Sequence, residues 1–185
     1  MLKEGLKVSG KVIVRSYPAG TLHLYESLRS LGKLDLARDL LADGKIEVEQ
    51  HNLIVDSSNY GIDILVQYLI SGFIGSFSFP LGIEWAEIGT GTTTPSTGDT
   101  GLTTPTNRAT VSYAADFGLN TAQLQFFFPD AVLANETYYE CGSFIGGSST
   151  IGSGNMFNHA LFATPYSKSG GVDTTLEVDI SFANS

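Results

Sequence analysis

The chain has 185 residues, of which 42% are apolar and only 16% charged, and its formal net charge is −9. One domain of this length buries a core without staples, and the single cysteine, Cys141, excludes an intrachain disulfide. The acidic excess argues against nucleic-acid binding by phosphate neutralisation, and charge this sparse leaves much of the surface to Ser, Thr, Asn and Gly.

In chain order, Val8, Val12, Ile13 and Val14 predict a first strand that ends at the turn signal Tyr17-Pro18-Ala19-Gly20. Residues Leu22 to Leu31 read as a short helix. Lys33 to Ala42 reads as a better one, because Leu34, Ala37 and Leu41 share a face and Gly44 follows its end. Strand resumes over Lys45 to Asp56. There Ile46 and Val48 alternate with Glu47 and Glu49 before a continuous Leu53-Ile54-Val55, and the break near His51-Asn52 predicts a bulge or a subdomain edge. Ser57-Ser58-Asn59 offers a helix cap, and Ile62, Leu65, Val66, Leu69 and Ile70 follow at helical spacing.

From there the pattern is all strand. Gly82 to Ile88 is short, and Gly89 to Thr106 is a Gly-, Thr- and Pro-rich loop. Arg108 to Ala114 alternates. Thr121 to Phe128 sends Leu124, Phe126 and Phe128 to one face and Gln123, Gln125 and Phe127 to the other. Thr137 to Ile145 and Met156 to Phe162 flank the Gly/Ser loop Gly146 to Gly154. In the last strand, Thr174 to Phe182, Leu176, Val178, Ile180 and Phe182 should face the core, and Thr175, Glu177, Asp179 and Ser181 should face water. The expected fold is mainly β: an antiparallel sandwich or barrel-like domain of about eight strands, with two or three short helices in the N-terminal half. Residues 1–44 read as an arm or insertion ahead of a β-sandwich domain over 45–185.

Charge divides along the chain. Residues 1–45 carry eight cations against five acids, whereas the remainder carries only Arg108 and Lys168 against fourteen acids. A basic N-terminal part could dock on an acidic body, its own or a neighbour's. The stretch Ile62 to Phe79 is broken by Asp63, Gln67 and several Gly and Ser, too interrupted to span a bilayer. No secretory signal pattern follows Met1, and one cysteine suits assembly in a reducing cytoplasm.

No catalytic or metal-binding constellation stands out. His23, His51 and His159 lack metal-ligand spacing. Gly89-Thr90-Gly91-Thr92-Thr93-Thr94-Pro95 resembles a phosphate cradle but lacks the Lys-Ser/Thr pair at a helix start. Glu84 and Glu87 near Trp85 could be a glycosidase acid pair, yet on a strand they point to opposite faces. No catalytic residue, metal or cofactor is expected.

Several motifs recur in order: His51-Asn52-Leu53-Ile54-Val55, Ile88-Gly89-Thr90-Gly91-Thr92-Thr93-Thr94-Pro95, Asp99-Thr100-Gly101-Leu102 and Arg108. After these come Glu140-Cys141-Gly142-Ser143-Phe144, Met156-Phe157-Asn158-His159-Ala160 and the alternating Leu176 to Phe182. This order resembles that of small tail, accessory or decoration proteins of tailed-bacteriophage virions. The likeness covers residues 45–182, with 17–44 as an insertion. It implies a non-enzymatic virion component that packs against copies of itself, as a trimer or hexamer, and against other virion proteins, with neither nucleic acid nor membrane as partner. Interface candidates are Phe73, Phe77, Phe79, Phe127 and Arg108, the last expected to pair with a carboxylate within or between subunits. The alternative is a host-receptor- or glycan-binding fibre module, in which Trp85, Tyr113, Tyr138 and Tyr139 would stack on sugars.

Overall fold

The computed structural model describes residues 6–55, 61, 82–116 and 120–184. Its elements are β1 (Leu6–Pro18), α1 (Thr21–Ser30), α2 (Leu34–Ala42), β2 (Lys45–Ile54), β3 (Ile83–Gly89), β4 (Pro105–Asp116), β5 (Thr121–Phe128), β6 (Thr137–Ile145), β7 (Asn155–Ser167) and β8 (Val172–Asn184). The helix expected over Ile62–Ile70 and the residues Phe73, Phe77 and Phe79 lie outside the described residues.

The strands close into one barrel in the order β1-β2-β7-β6-β3-β4-β5-β8, with every neighbouring pair antiparallel. The sheet closes on itself instead of separating into a two-sheet sandwich, because two strands change partner midway. β2 pairs with β1 from Lys45 to Asn52 and with β7 at Leu53 and Ile54. β4 pairs with β3 as far as Thr110 and with β5 from Val111. Strands that switch partners turn the corners of a barrel. The pattern break at His51-Asn52 is therefore such a handover. The irregularity in the β1–β2 ladder falls at Glu47, where Val14 opposes Val48 but Arg15 opposes Ile46.

β1 lies between β2 and β8, with Leu6 opposite Asn184 and Pro18 opposite Val172. The boundary drawn between residues 44 and 45 therefore does not separate an arm from the barrel. Among the described residues before 45, only the α1–α2 hairpin stands apart, as an excursion between β1 and β2. Gly20 begins α1 in a left-handed conformation (φ 89°) and offers no capping side chain. Asp173 at the start of β8 accepts the Leu22 N–H at 3.0 Å and so caps the helix from 151 residues away. At the other end, Gly32 (φ 71°) lets its own N–H reach the Arg29 carbonyl and that of Lys33 reach Leu28, which is a Schellman stop.

The alternation along β5 and β8 fills the barrel. Leu124, Phe126, Phe128, Leu176, Val178 and Ile180 join Val12, Val14, Ile88, Phe157 and Phe162 in the interior core. A second core forms outside the barrel. The hairpin lays Leu22, Tyr25, Ala37 and Leu41 over Tyr17 and Phe127, and Tyr25 meets Phe127 edge-on with centroids 5.0 Å apart. This corrects two expectations. Phe127, proposed for a subunit interface, is covered by the chain's own helices. Thr175 and Glu177, expected to face water, are 0% and 4% exposed, because the wall on which they lie is roofed by the hairpin.

The cations of the N-terminal part meet acids of β8: Lys11 lies 3.7 Å from Asp179, and Arg15 lies 3.9 Å from Glu177. Among the described residues, no helix is long and apolar enough to cross a membrane.

Candidate functional site

The loop after β3 is fastened by one buried carboxylate. Glu140 on β6 is wholly buried and accepts three backbone N–H groups, from Gly91 (3.1 Å), Thr103 (3.1 Å) and Thr104 (2.7 Å). The glycine-rich stretch is thus an anion cradle, but its anion is the chain's own side chain, which leaves the donors unavailable to a phosphate. Gly91 is needed for this approach, since a Cβ there would sit 2.2 Å from Glu140 Oε1.

His159 on β7 extends the network. Its Nε2 lies 3.1 Å from Glu140 Oε2, and its Nδ1 lies 2.7 Å from Asp99 Oδ2 in the loop. Asp99 also accepts the Ser96 N–H at 2.8 Å. A catalytic imidazole needs one nitrogen free to face a nucleophile or substrate. Here both nitrogens are spent on carboxylates, so the chain Glu140–His159–Asp99 orders a loop. Cys141 beside it is buried, and that burial pushes its thiol up, away from the reactive thiolate.

A second buried ion pair holds the loop after β6. Arg108 on β4 donates to Glu87 on β3 at 2.5 Å, to the Ser148 carbonyl at 2.9 Å and to the Ser153 carbonyl at 2.7 Å. Its guanidinium sits 5.0 Å from the Trp85 ring centre and 4.9 Å from that of Phe144. Glu87 also takes the Gly152 N–H. With a side chain only 1% exposed, Arg108 joins a carboxylate of its own chain and presents no free charge at the surface. Glu87 is committed to this pair, which removes it from any acid pair with Glu84.

Lys168 makes a third knot. Its ammonium donates to Asp130 (2.6 Å), Asn135 (3.2 Å) and the Ser169 carbonyl (3.3 Å), so all three protons are used. Asp130 also receives Gly171 and Val172 N–H groups, and its own N–H reaches the helix-capping Asp173.

The four aromatic residues considered for sugar stacking are not gathered together. Tyr138 is fully buried, stacked on Tyr166 and bonded to the Ala134 carbonyl. Trp85 lies against Arg108. Tyr139 is half-buried on β6. Tyr113 alone lines an open groove, about 650 Å³ in volume, between the hairpin and the barrel wall.

The hairpin also presents apolar surface that sequence periodicity did not mark. Leu24, Leu31, Leu34 and Leu36 are 49%, 68%, 53% and 56% exposed. Leu34 was expected on the inward face with Ala37 and Leu41, but it begins α2 and points out. Sequence reasoning also missed Glu140 and Asp173; the signal for Glu140 was a lone charge inside an otherwise apolar strand. No known protein family matches the chain, and neither does a curated protein or a solved structure.

Proposed function

We propose that the chain is a non-enzymatic structural component of a tailed-phage virion, a decoration, neck, tail or baseplate part that acts by packing against neighbouring subunits. The observation that carries this reading is the α1–α2 hairpin, which holds four half-exposed or more exposed leucines on a chain poor in charge. Four such leucines on one short hairpin are the apolar surface that a contact site there would use. The ordered motifs that resemble those of virion proteins also have structural employment. Gly91, Asp99, Glu140 and His159 belong to one network, and Arg108 ties down a second loop. The partner is another copy of the chain in a rotationally symmetric ring, a trimer or hexamer, seated on other virion proteins; the site of action is the particle, assembled in the host cytoplasm.

Light scattering of the purified chain tests the packing. The wild type should run as a discrete oligomer, and Leu31→Glu with Leu36→Glu should give a monomer whose stability stays within about 0.5 kcal/mol, as expected for surface changes. A wild type that is monomeric at all concentrations sinks the self-packing claim. Quantitative mass spectrometry of purified phage particles tests the location: many copies per particle are expected, and absence from the particle overturns it.

A further inference from the structure

The groove beneath the hairpin is lined by cationic donors with few partners among the described residues. Its volume of about 650 Å³ falls among those of small-molecule pockets. Three cations reach it from two sides, Lys11 and Arg15 from β1 and Arg38 from α2. A guanidinium carries five N–H donors. Arg15, its side chain 21% exposed, spends one on the Gly44 carbonyl at a long 3.5 Å, and its Nε stands 3.9 Å from Glu177, farther than a hydrogen bond reaches. Arg38 is exposed and has no carboxylate partner among the described residues. The two acids of the groove are met by amides instead: Glu177 accepts from Gln125 at 2.9 Å, and Asp179 accepts from Gln123 at 3.1 Å.

Charge then selects the ligand. Three cations against two acids leave one positive charge on the lining. Glu49, which takes a Lys11 proton at 3.3 Å, and Arg29, which lies over the Tyr25 ring, flank the groove and offset each other. The groove therefore suits a single negative charge. A phosphate monoester brings nearly two and would set the surplus against Glu177 and Asp179. A carboxylate brings one, in the planar form that a guanidinium fork matches. Beside the arginines, Ile13, Leu41 and the half-buried Tyr113 supply apolar wall, which suits a ligand whose body is flat or apolar.

We propose that this groove binds a small organic carboxylate, its anion taken by the spare guanidinium donors of Arg38 and Arg15 and its body lying on Tyr113. The inference goes beyond the assembly role and does not depend on it. Titration calorimetry tests it with an aromatic acid, hippurate, and a sugar acid, N-acetylneuraminate, each beside its uncharged methyl ester, and with phenyl phosphate as the dianion. The proteins are the wild type, Arg38→Gln, Arg15→Gln and Tyr113→Ala, each checked for an unchanged melting temperature; Arg38, on the exposed face of a helix, keeps the test open if Arg15→Gln fails to fold. At least one acid should bind, its ester about tenfold or more weaker, and Arg38→Gln should weaken the acid by a similar factor, as for one well-placed charged contact. Affinity should fall as salt rises from about 50 to 500 mM, because the contact is partly exposed and screened. The proposal is overturned if neither acid binds at about 10 mM, a concentration that reveals even millimolar affinity. An ester that binds as well as its acid, affinity unchanged in Arg38→Gln, or phenyl phosphate binding more tightly than both acids overturns it equally. Light scattering of the same variants separates the two readings, since assembly should persist when carboxylate binding is lost.

Discussion

The two sides of the barrel treat polar groups in opposite ways. Beside β3, β6 and β7, a carboxylate, an imidazole and a second carboxylate divide their bonds among one another and the backbone of a loop. Beneath the hairpin, by contrast, carboxylates face cations at 3.7–3.9 Å and an amide oxygen lacks a donor. The first side spends most of its polar capacity on holding two loops, although Glu87 Oε2 on β3 and Asn158 Nδ2 on β7 have no partner among the described residues. The second retains capacity, and the apolar leucines lie on the same hairpin. Burial of charge is common to both sides, so buried charge alone does not mark function.

The sharpest way to break this contrast is Glu140→Ala. It orphans three backbone N–H groups and one side of His159, and should cost on the order of 4 kcal/mol in urea unfolding. A loss below about 1 kcal/mol would mean that the loop is not held by this carboxylate. A smaller effect is expected from Asp173→Ala, which removes the distant cap of α1. With the Asp130 N–H orphaned as well, it should cost about 2 kcal/mol and raise hydrogen exchange in the hairpin while leaving β6 and β7 protected. Uniform loosening of the whole chain would refute that assignment.

The smallest effect concerns pH. The Lys168 ammonium, helped by the Val172 and Gly171 N–H groups, holds Asp130 below the usual aspartate range. A carboxyl lowered by folding adds stability above its unfolded pKa and loses it as pH falls through the folded value. Wild type should therefore lose stability below about pH 4 more steeply than Asp130→Asn. Parallel acid limbs for the two proteins would show that the knot carries no such coupling.

Much of the fold was legible in the sequence. Thr121–Phe128 and Thr137–Ile145 form strands with the bounds read from the pattern, because turn residues flank runs of strand-forming side chains. Both early helices form where the sequence reads them, the second on the shared face of Ala37 and Leu41. What period-2 alternation cannot say is whether the outer face of a wall is also covered. Phe127, Thr175 and Glu177 occupy polar-side positions, and only the hairpin, more than eighty residues earlier in the sequence, buries them. The loop-holding network was hidden for a related reason. The β6–β7 ladder shifts between Tyr138 and Glu140, which breaks the alternation that would have exposed a charge among core residues. Asp173 and Leu22 lie too far apart in sequence for any local capping rule to join them.

Closure of the barrel has a further consequence. Among the described residues each of the eight strands has a neighbour on both sides, which leaves little unpaired backbone as a template for strand addition by another chain, chiefly the part of β2 before Leu53, where β7 does not yet pair. Recognition would therefore run mainly through side chains, where a few substitutions can retarget it without disturbing the ladder. Such a chain can be crowded at high local concentration with little tendency to grow into fibrils.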